Sequence, residues 1–184
     1  GILVPEEFGG SDFGIAGISV IMQELGKTLT PSPILATSVL GVSTINLLGS
    51  QEQKEKYLPK IVSGDVTTAL AIDEGNHHSP LDIEATAILK GDKWSLNGQK
   101  VFIVDGASAD YILIVARTSG KKGESNGLSV FVSEKNSEGL EISKISTADC
   151  RNYSNLKMNN LVLEGNALLG EVDTAGEIIE KVLD

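Results

Sequence analysis

Two histidines and three carboxylates crowd one short stretch, Asp73-Glu74-Gly75-Asn76-His77-His78-Ser79-Pro80-Leu81-Asp82. Imidazole and carboxylate side chains together are the raw material of a metal site. Adjacent histidines on a loop rarely point the same way, however, and the spacing fits no ligand set, so the expectation is a solvated polar loop. Cys150 is the one cysteine. No base stands beside it in sequence, which makes it a small strand-edge residue rather than a nucleophile. Lys121-Lys122 sits in the polar, Lys- and Gly-rich stretch Ser119–Asn126 and reads as a wet loop tip, not a phosphate clamp. Phe102 and Val104 alternate within a β-rich run. On spacing alone they are either core or one face of a binding surface.

The frame that must position these residues is set by length and composition. A chain of 184 residues with 41% hydrophobic residues builds one large domain or two small ones. Fifteen Lys and Arg against 25 Asp and Glu give a formal net charge of -10, which argues against nucleic acid and anionic membrane surfaces as partners. A single cysteine allows no internal disulfide and makes a reducing cytoplasm the expected location. No stretch reaches the roughly 18–20 apolar residues of a membrane span. No signal peptide is visible; Gly1-Ile2-Leu3-Val4-Pro5 reads like the middle of a protein, and the chain stops inside the helical pattern Ile178–Asp184, so it is expected to be a piece of something longer.

The periodicity changes along the chain. Ile18, Ile21, Met22 and Leu25 give a helix over about Ile15–Thr28 one apolar face, and Thr30-Pro31-Ser32-Pro33 ends it. A second helix is expected over Ile34–Leu48, apolar nearly all round and therefore central. Ser50 with Gln53 forms a capping-box pattern ahead of a third helix, Gln51–Val62, which Ser63-Gly64 stops. From Thr67 the period is two. Strands are expected over Thr67–Asp73, Ala85–Leu89, Trp94–Leu96, Gln99–Asp105, Tyr111–Ala116, Leu128–Ser133, Leu140–Ile145 and Leu156–Leu163. Asn97-Gly98 is read as a tight hairpin turn between two of them. Asp173 or Thr174 caps a last helix with Ile178, Ile179, Val182 and Leu183 on its apolar face. The expected fold is α+β: a helical part over 1–65, an antiparallel β-barrel or sandwich over 66–170, and the start of a further helical part over 171–184.

Three stretches resemble the acyl-CoA dehydrogenase family. Val4-Pro5-Glu6-Glu7-Phe8-Gly9-Gly10 is similar to its P-E-E-Y-G-G. Gly49 to Pro59, closing at Ser63-Gly64, resembles its G-[ST]-E-E-Q-K-x-x-Y-L-P helix. Leu96-Asn97-Gly98-Gln99-Lys100 with Ala109-Asp110 resembles its L-N-G-x-K and A-D pair. The resemblance implies FAD lying against the β-domain, an acyl-CoA substrate between flavin and a catalytic carboxylate, and an electron-transfer flavoprotein as electron acceptor. It implies a homo- or hetero-oligomer, a dimer or tetramer. It places the base in a C-terminal helical domain, so no catalytic residue is assigned within this chain.

The flavin-facing positions depart from the family pattern. Its T-E-P-x-A-G-S-D falls on Asp73–Pro80, where Glu74 and Ser79 match. Its W-I-T-N falls on Phe102-Ile103-Val104-Asp105, and its R-x-S-D-T roughly on Asp149–Tyr153. The resemblance assigns cofactor contacts to the backbone of Leu70, Ile72 and Asp73, to Ser79 near the pyrophosphate and the substrate, and to Phe102 and Val104. An ionised Asp73 at the ring, about 4 Å away, would oppose reduced flavin by roughly 4 kcal/mol unless paired, for instance with His77 or His78. Two functions follow: an FAD-dependent acyl-CoA dehydrogenase, or a non-catalytic partner subunit of the same fold with a degenerate or empty flavin site.

Overall fold

A computed structural model describes residues 1–183; Asp184, the end of the expected last helix, lies outside the described residues. Four α-helices, α1 Gly14–Lys27, α2 Val42–Leu48, α3 Gln51–Ser63 and α4 Ala175–Leu183, flank eight strands. The capping box forms as expected. Gln53 N–H donates to Ser50 Oγ and Ser50 N–H to Gln53 Oε1, at 3.2 and 3.0 Å, and Gly64 closes α3 at φ +80°. Tyr57, Leu58 and Ile61 turn inward. In α4, Ile179 and Val182 are buried and Ile178 and Leu183 half-buried.

Two helices differ from expectation. Of the apolar face expected for α1, Ile18 alone is buried; Met22 and Leu25 are half-buried, and Ile21 is exposed together with Ile15 and Val20. The helix runs along the outside of the fold. The segment Ile34–Gly41 ahead of α2 is a π-helix, and Leu47 is exposed rather than central. The wider turn sets Thr37 against the first strand. Its Oγ1 donates to Thr68 C=O and accepts from Thr68 N–H, both at 3.1 Å. Gly41 packs so closely on the Thr68 side chain that a Cβ has no room.

The strands are β1 Thr68–Ala71, β2 Thr86–Lys90, β3 Lys93–Val104, β4 Tyr111–Arg117, β5 Leu128–Glu134, β6 Leu140–Ile145, β7 Tyr153–Glu164 and β8 Leu168–Leu169. They form one sheet in the order β6-β7-β3-β2-β4-β5-β8, with β1 beside β4. The arrangement is sandwich-like and not a closed barrel, and it is mixed rather than wholly antiparallel, because β1 and β2 both run parallel to β4. Ile112–Ala116 and Leu128–Val132 make β4 and β5 its fully buried centre; β4 is a near-continuous apolar run, whereas β5 carries Ser129 inside, bonded to Thr118 Oγ1 and Asp173 N–H. Asp110 ties β1 to β4: it accepts from Thr67 N–H and Oγ1 at 2.9 and 3.0 Å and meets Lys135 Nζ at 3.1 Å. The Thr67 backbone bond, with Lys135, holds its carboxyl below the usual range.

The hairpin turn expected at Asn97-Gly98 is not there. The chain turns at Gly91-Asp92, where Lys90 faces Lys93 and Gly91 adopts φ +67°. Asn97 and Gly98 lie inside β3, at a bulge between Leu96 and Gly98. Gly98 sits at φ +138°, and a Cβ there would come within 2.6 Å of Ala85 Cβ. Close approach of two strands, and not a turn, requires glycine. Asn97 Oδ1 fills the bulge by accepting from Asn160 N–H at 2.8 Å. A second bulge separates Lys100 from Ile103 and holds Phe102 at φ +51°. It moves the inward parity by one residue. Ile103 enters the core, while Phe102 is 55% exposed.

Candidate functional site

Three segments meet where β1 ends, β2 begins and β3 bulges. Trp94, Leu96, Gly98 and Lys100 share one strand parity, so a lysine occupies a core position. Lys100 is 0% exposed. Its Nζ donates to Ile72 C=O at 2.9 Å and to Glu74 Oε1 at 2.7 Å. The Glu74 carboxylate also accepts from Glu84 and Ala85 N–H, at 2.7 and 3.0 Å. Val101 N–H donates to Asp73 C=O at 2.7 Å. Burial lowers Lys100 to about 8 against the upward pull of Glu74. Buried ionic groups persist only when so paired and hydrogen-bonded.

The register of β1 on β4 turns alternate amides of β1 away from its neighbour. Thr68 is satisfied there by Thr37, and Ile72 C=O by Lys100. Between them the N–H and C=O of Leu70 have no partner among the described residues. Buried main-chain groups are nearly always paired, so this amide is an open hydrogen-bonding position. The side chains of Leu70 and Ile72 are themselves core, which leaves these two residues only their backbone to offer.

Asp73 does not project a bare charge. One carboxylate oxygen accepts from Ser79 N–H at 3.0 Å and the other lies 2.8 Å from His78 Nδ1. His77 points elsewhere, into a cleft of about 190 Å³ lined also by Glu74, Asn76, Ser79, Asp82 and Lys122. Among the described residues no three His, Cys, Asp or Glu side chains converge as a metal ion requires. Phe102 presents an exposed ring edge-to-face with Tyr153, centroids 6.2 Å apart, and Val104 is half-buried. Beyond them Asp105 keeps one buried carboxylate oxygen without a partner. Its desolvation raises the carboxyl above its usual range, opposed by Arg151. Cys150 lies exposed in the loop before β7 at φ +56°, not on a strand edge.

The structure thus brings Asp73, Ser79 and the Phe102 segment to one junction, and leaves the side chains of Leu70 and Ile72 beneath it. Two residues that hold the junction together were given no role by sequence. Lys100 is one, and strand parity could have flagged it. Arg117 is the other: only 7% exposed, it gives all five of its N–H groups to backbone carbonyls. Nε reaches Ile83, Nη1 Ser119 and Asn126, and Nη2 Leu81 and Glu124, at 3.0–3.3 Å. It binds the loop before β2 to the loop 119–126, which is therefore fastened rather than free. Lys122 crosses the same gap to Glu84 at 3.0 Å.

Comparison with known proteins places this geometry. Residues 1–65 match the family model of the acyl-CoA dehydrogenase N-terminal domain and residues 69–165 that of the middle domain. The chain belongs to the acyl-CoA dehydrogenase family. A short-chain specific acyl-CoA dehydrogenase of Clostridium acetobutylicum is 30% identical over the whole chain, which covers 50% of that protein. A cyclohex-1-ene-1-carbonyl-CoA dehydrogenase of Syntrophus aciditrophicus is 35% identical over 92% of the chain and 42% of its own length. The solved structure of a glutaryl-coenzyme A dehydrogenase glutaryl-CoA complex superposes with TM-score 0.86 at 30% identity, over 98% of this chain and 48% of that one. The chain therefore spans about half the length of the relatives it matches.

Proposed function

We propose that this chain forms the flavin-facing part of an FAD-dependent acyl-CoA dehydrogenase that introduces an α,β double bond into an acyl-CoA thioester. The observation that carries the reading is the open Leu70 amide on the outer edge of β1, together with the exposed Phe102 ring that follows Val101, whose N–H bonds Asp73 C=O just beyond that edge. A flat heterocycle with donors and acceptors along its rim needs a main-chain N–H and C=O for that rim and an aromatic surface for its face. The residues present fit such a group. Leu70 offers both backbone atoms, Phe102 the aromatic face with Tyr153 behind it, and Ser79 a hydroxyl in the adjoining cleft.

When bound, FAD supplies the hydride acceptor. The chain's own share is placement. Lys100 keeps Ile72 C=O occupied, and Asp73 spends its carboxylate on Ser79 and His78, so neither offers an uncompensated acceptor to the ring. No side chain of this chain is assigned as the base that removes the α-proton; the reading places it on the part of the protein C-terminal to residue 184. The same reading takes an electron-transfer flavoprotein as oxidant of the reduced cofactor and an oligomer as the working form. The relatives' names range over short-chain, glutaryl and cyclohexenecarbonyl thioesters, so the class proposed is the CoA thioester rather than one acyl group.

The test is optical. The purified protein should be yellow or become so with added FAD, and acyl-CoAs of graded chain length should include one that bleaches the flavin band. A colourless protein that takes up no FAD would refute the reading and favour a non-catalytic partner subunit. A yellow protein that no acyl-CoA bleaches would confine it to binding.

A further inference from the structure

We propose that Lys100 and Glu74 form a positioning pair that fixes the Ile72–Ser79 backbone, and with it the flavin-facing edge, without touching the cofactor. The inference rests on the FAD reading for its purpose but on geometry for its substance. After β1 the chain leaves its ladder with β4 and must be held by something else. Lys100 supplies a side-chain donor where a ladder N–H would otherwise stand, 2.9 Å from Ile72 C=O. The next residue of β3 continues the attachment through Val101 N–H on Asp73 C=O. Glu74 then reaches the lead-in to β2 through Glu84 and Ala85 N–H. One ion pair joins all three segments where Gly98 lets β3 approach Ala85.

Stability alone does not account for this arrangement. An ammonium buried without any exposure is costly, and an apolar pair of similar size would serve a core at least as well. What an apolar pair lacks is direction. It cannot hold Ile72 C=O and two backbone N–H groups at fixed points, and the position of Asp73, and through it Ser79, depends on them. Lys100 also faces Asp73, which favours its charge, and Arg117, which opposes it. The junction is therefore a polar hub built on one buried amine.

Hydrogen exchange of the backbone amides tests the pair on the protein itself, in the presence and absence of FAD. Lys100→Met and Glu74→Gln, which keeps the volume but turns one of the two acceptor oxygens into an NH2 donor, should each speed exchange in the segment 72–85 by tenfold or more, while amides of Ile112–Val115 stay as protected as before. In the wild type the protection of 72–85, corrected for the intrinsic pH dependence of exchange, should rise between pH 8 and pH 10, because opening returns the buried amine to water and to its ordinary proton affinity, while the neutral amine of the closed form still donates to Ile72 C=O and Glu74; in Lys100→Met it should be flat. Added FAD should bind the variants at least tenfold more weakly. Unchanged exchange at 72–85 in Glu74→Gln, or the same pH response in Lys100→Met as in the wild type, overturns the proposal. If exchange responds as stated but the wild type binds no FAD, the pair is established as positioning and the flavin reading falls by itself.

Discussion

Arg117→Met is the most informative single change. Arg117 is the common root of two loops, and three of its five bonds, to Ser119, Glu124 and Asn126, hold the loop that carries Lys121 and Lys122. Hydrogen bonds from a charged donor are each worth about 1.5–3 kcal/mol, and they do not add fully. The loop retains its own bonds, among them Gly123 N–H to Leu81 C=O and Lys121 N–H to Glu124 Oε2, and its freed carbonyls reach water. A loss of about 3 kcal/mol in the local opening energy follows, which is on the order of a hundredfold in the open population. Trypsin reads that population directly when closing outpaces cleavage. Cleavage after Lys121 and Lys122 should accelerate by on the order of a hundredfold, while cleavage after Lys157, within β7, should change far less. Arg117→Lys keeps the charge but not the fork and should fall between. A change of less than about threefold at Lys121 and Lys122, or equal acceleration at Lys157, would show that the loop opens independently of the guanidinium.

Other consequences are simpler to measure. Gly98→Ala places a Cβ within 2.6 Å of Ala85 Cβ at φ +138° and should cost about 2–4 kcal/mol in urea unfolding; a cost below about 1 kcal/mol would mean that β3 and Ala85 separate easily. Ser50→Ala removes one half of the capping box and should cost about 1 kcal/mol, with Ser50→Gly costing less. Lys100 titrates near 8 in the folded chain against 10.5 when solvated. The folded state therefore holds fewer protons than the unfolded one across that window, so this group makes stability rise with pH between those values, by up to about 3 kcal/mol. That contribution is lost again as pH falls through 8, and urea titrations of the wild type should lose this slope in Lys100→Met.

What sequence reveals here is what repeats or caps. The Ser50–Gln53 box, the α3 stop at Gly64 and the apolar run of β4 follow from residue type at fixed spacing, and they form as expected; Leu128–Ser133, whose residues alternate in type, is buried on both faces where β5 lies between β4 and β8. What fails is parity through a bulge. Period two assigns Phe102 to the same face as Lys100, but one residue at φ +51° reverses the assignment and exposes the ring. The Asn97-Gly98 pair carries the strongest local turn signal, yet tertiary approach to Ala85 uses the same glycine differently. Lys100 was legible in principle as a charge on the inward row with Trp94 and Leu96. Arg117 was not, because every one of its partners is a backbone carbonyl, and carbonyls have no sequence signature. The departure of Asp73 from threonine suggested an uncompensated charge; the folded chain resolves it locally, through Ser79 and His78.

The edge of β1 has a consequence for how this molecule meets others of its kind. A free strand edge invites another chain because it offers amides in a row. Here Thr37 closes the edge at Thr68 and Lys100 closes it at Ile72. A solitary amide between two occupied ones gives an incoming strand no second rung to climb. It is a dead end for a growing fibril.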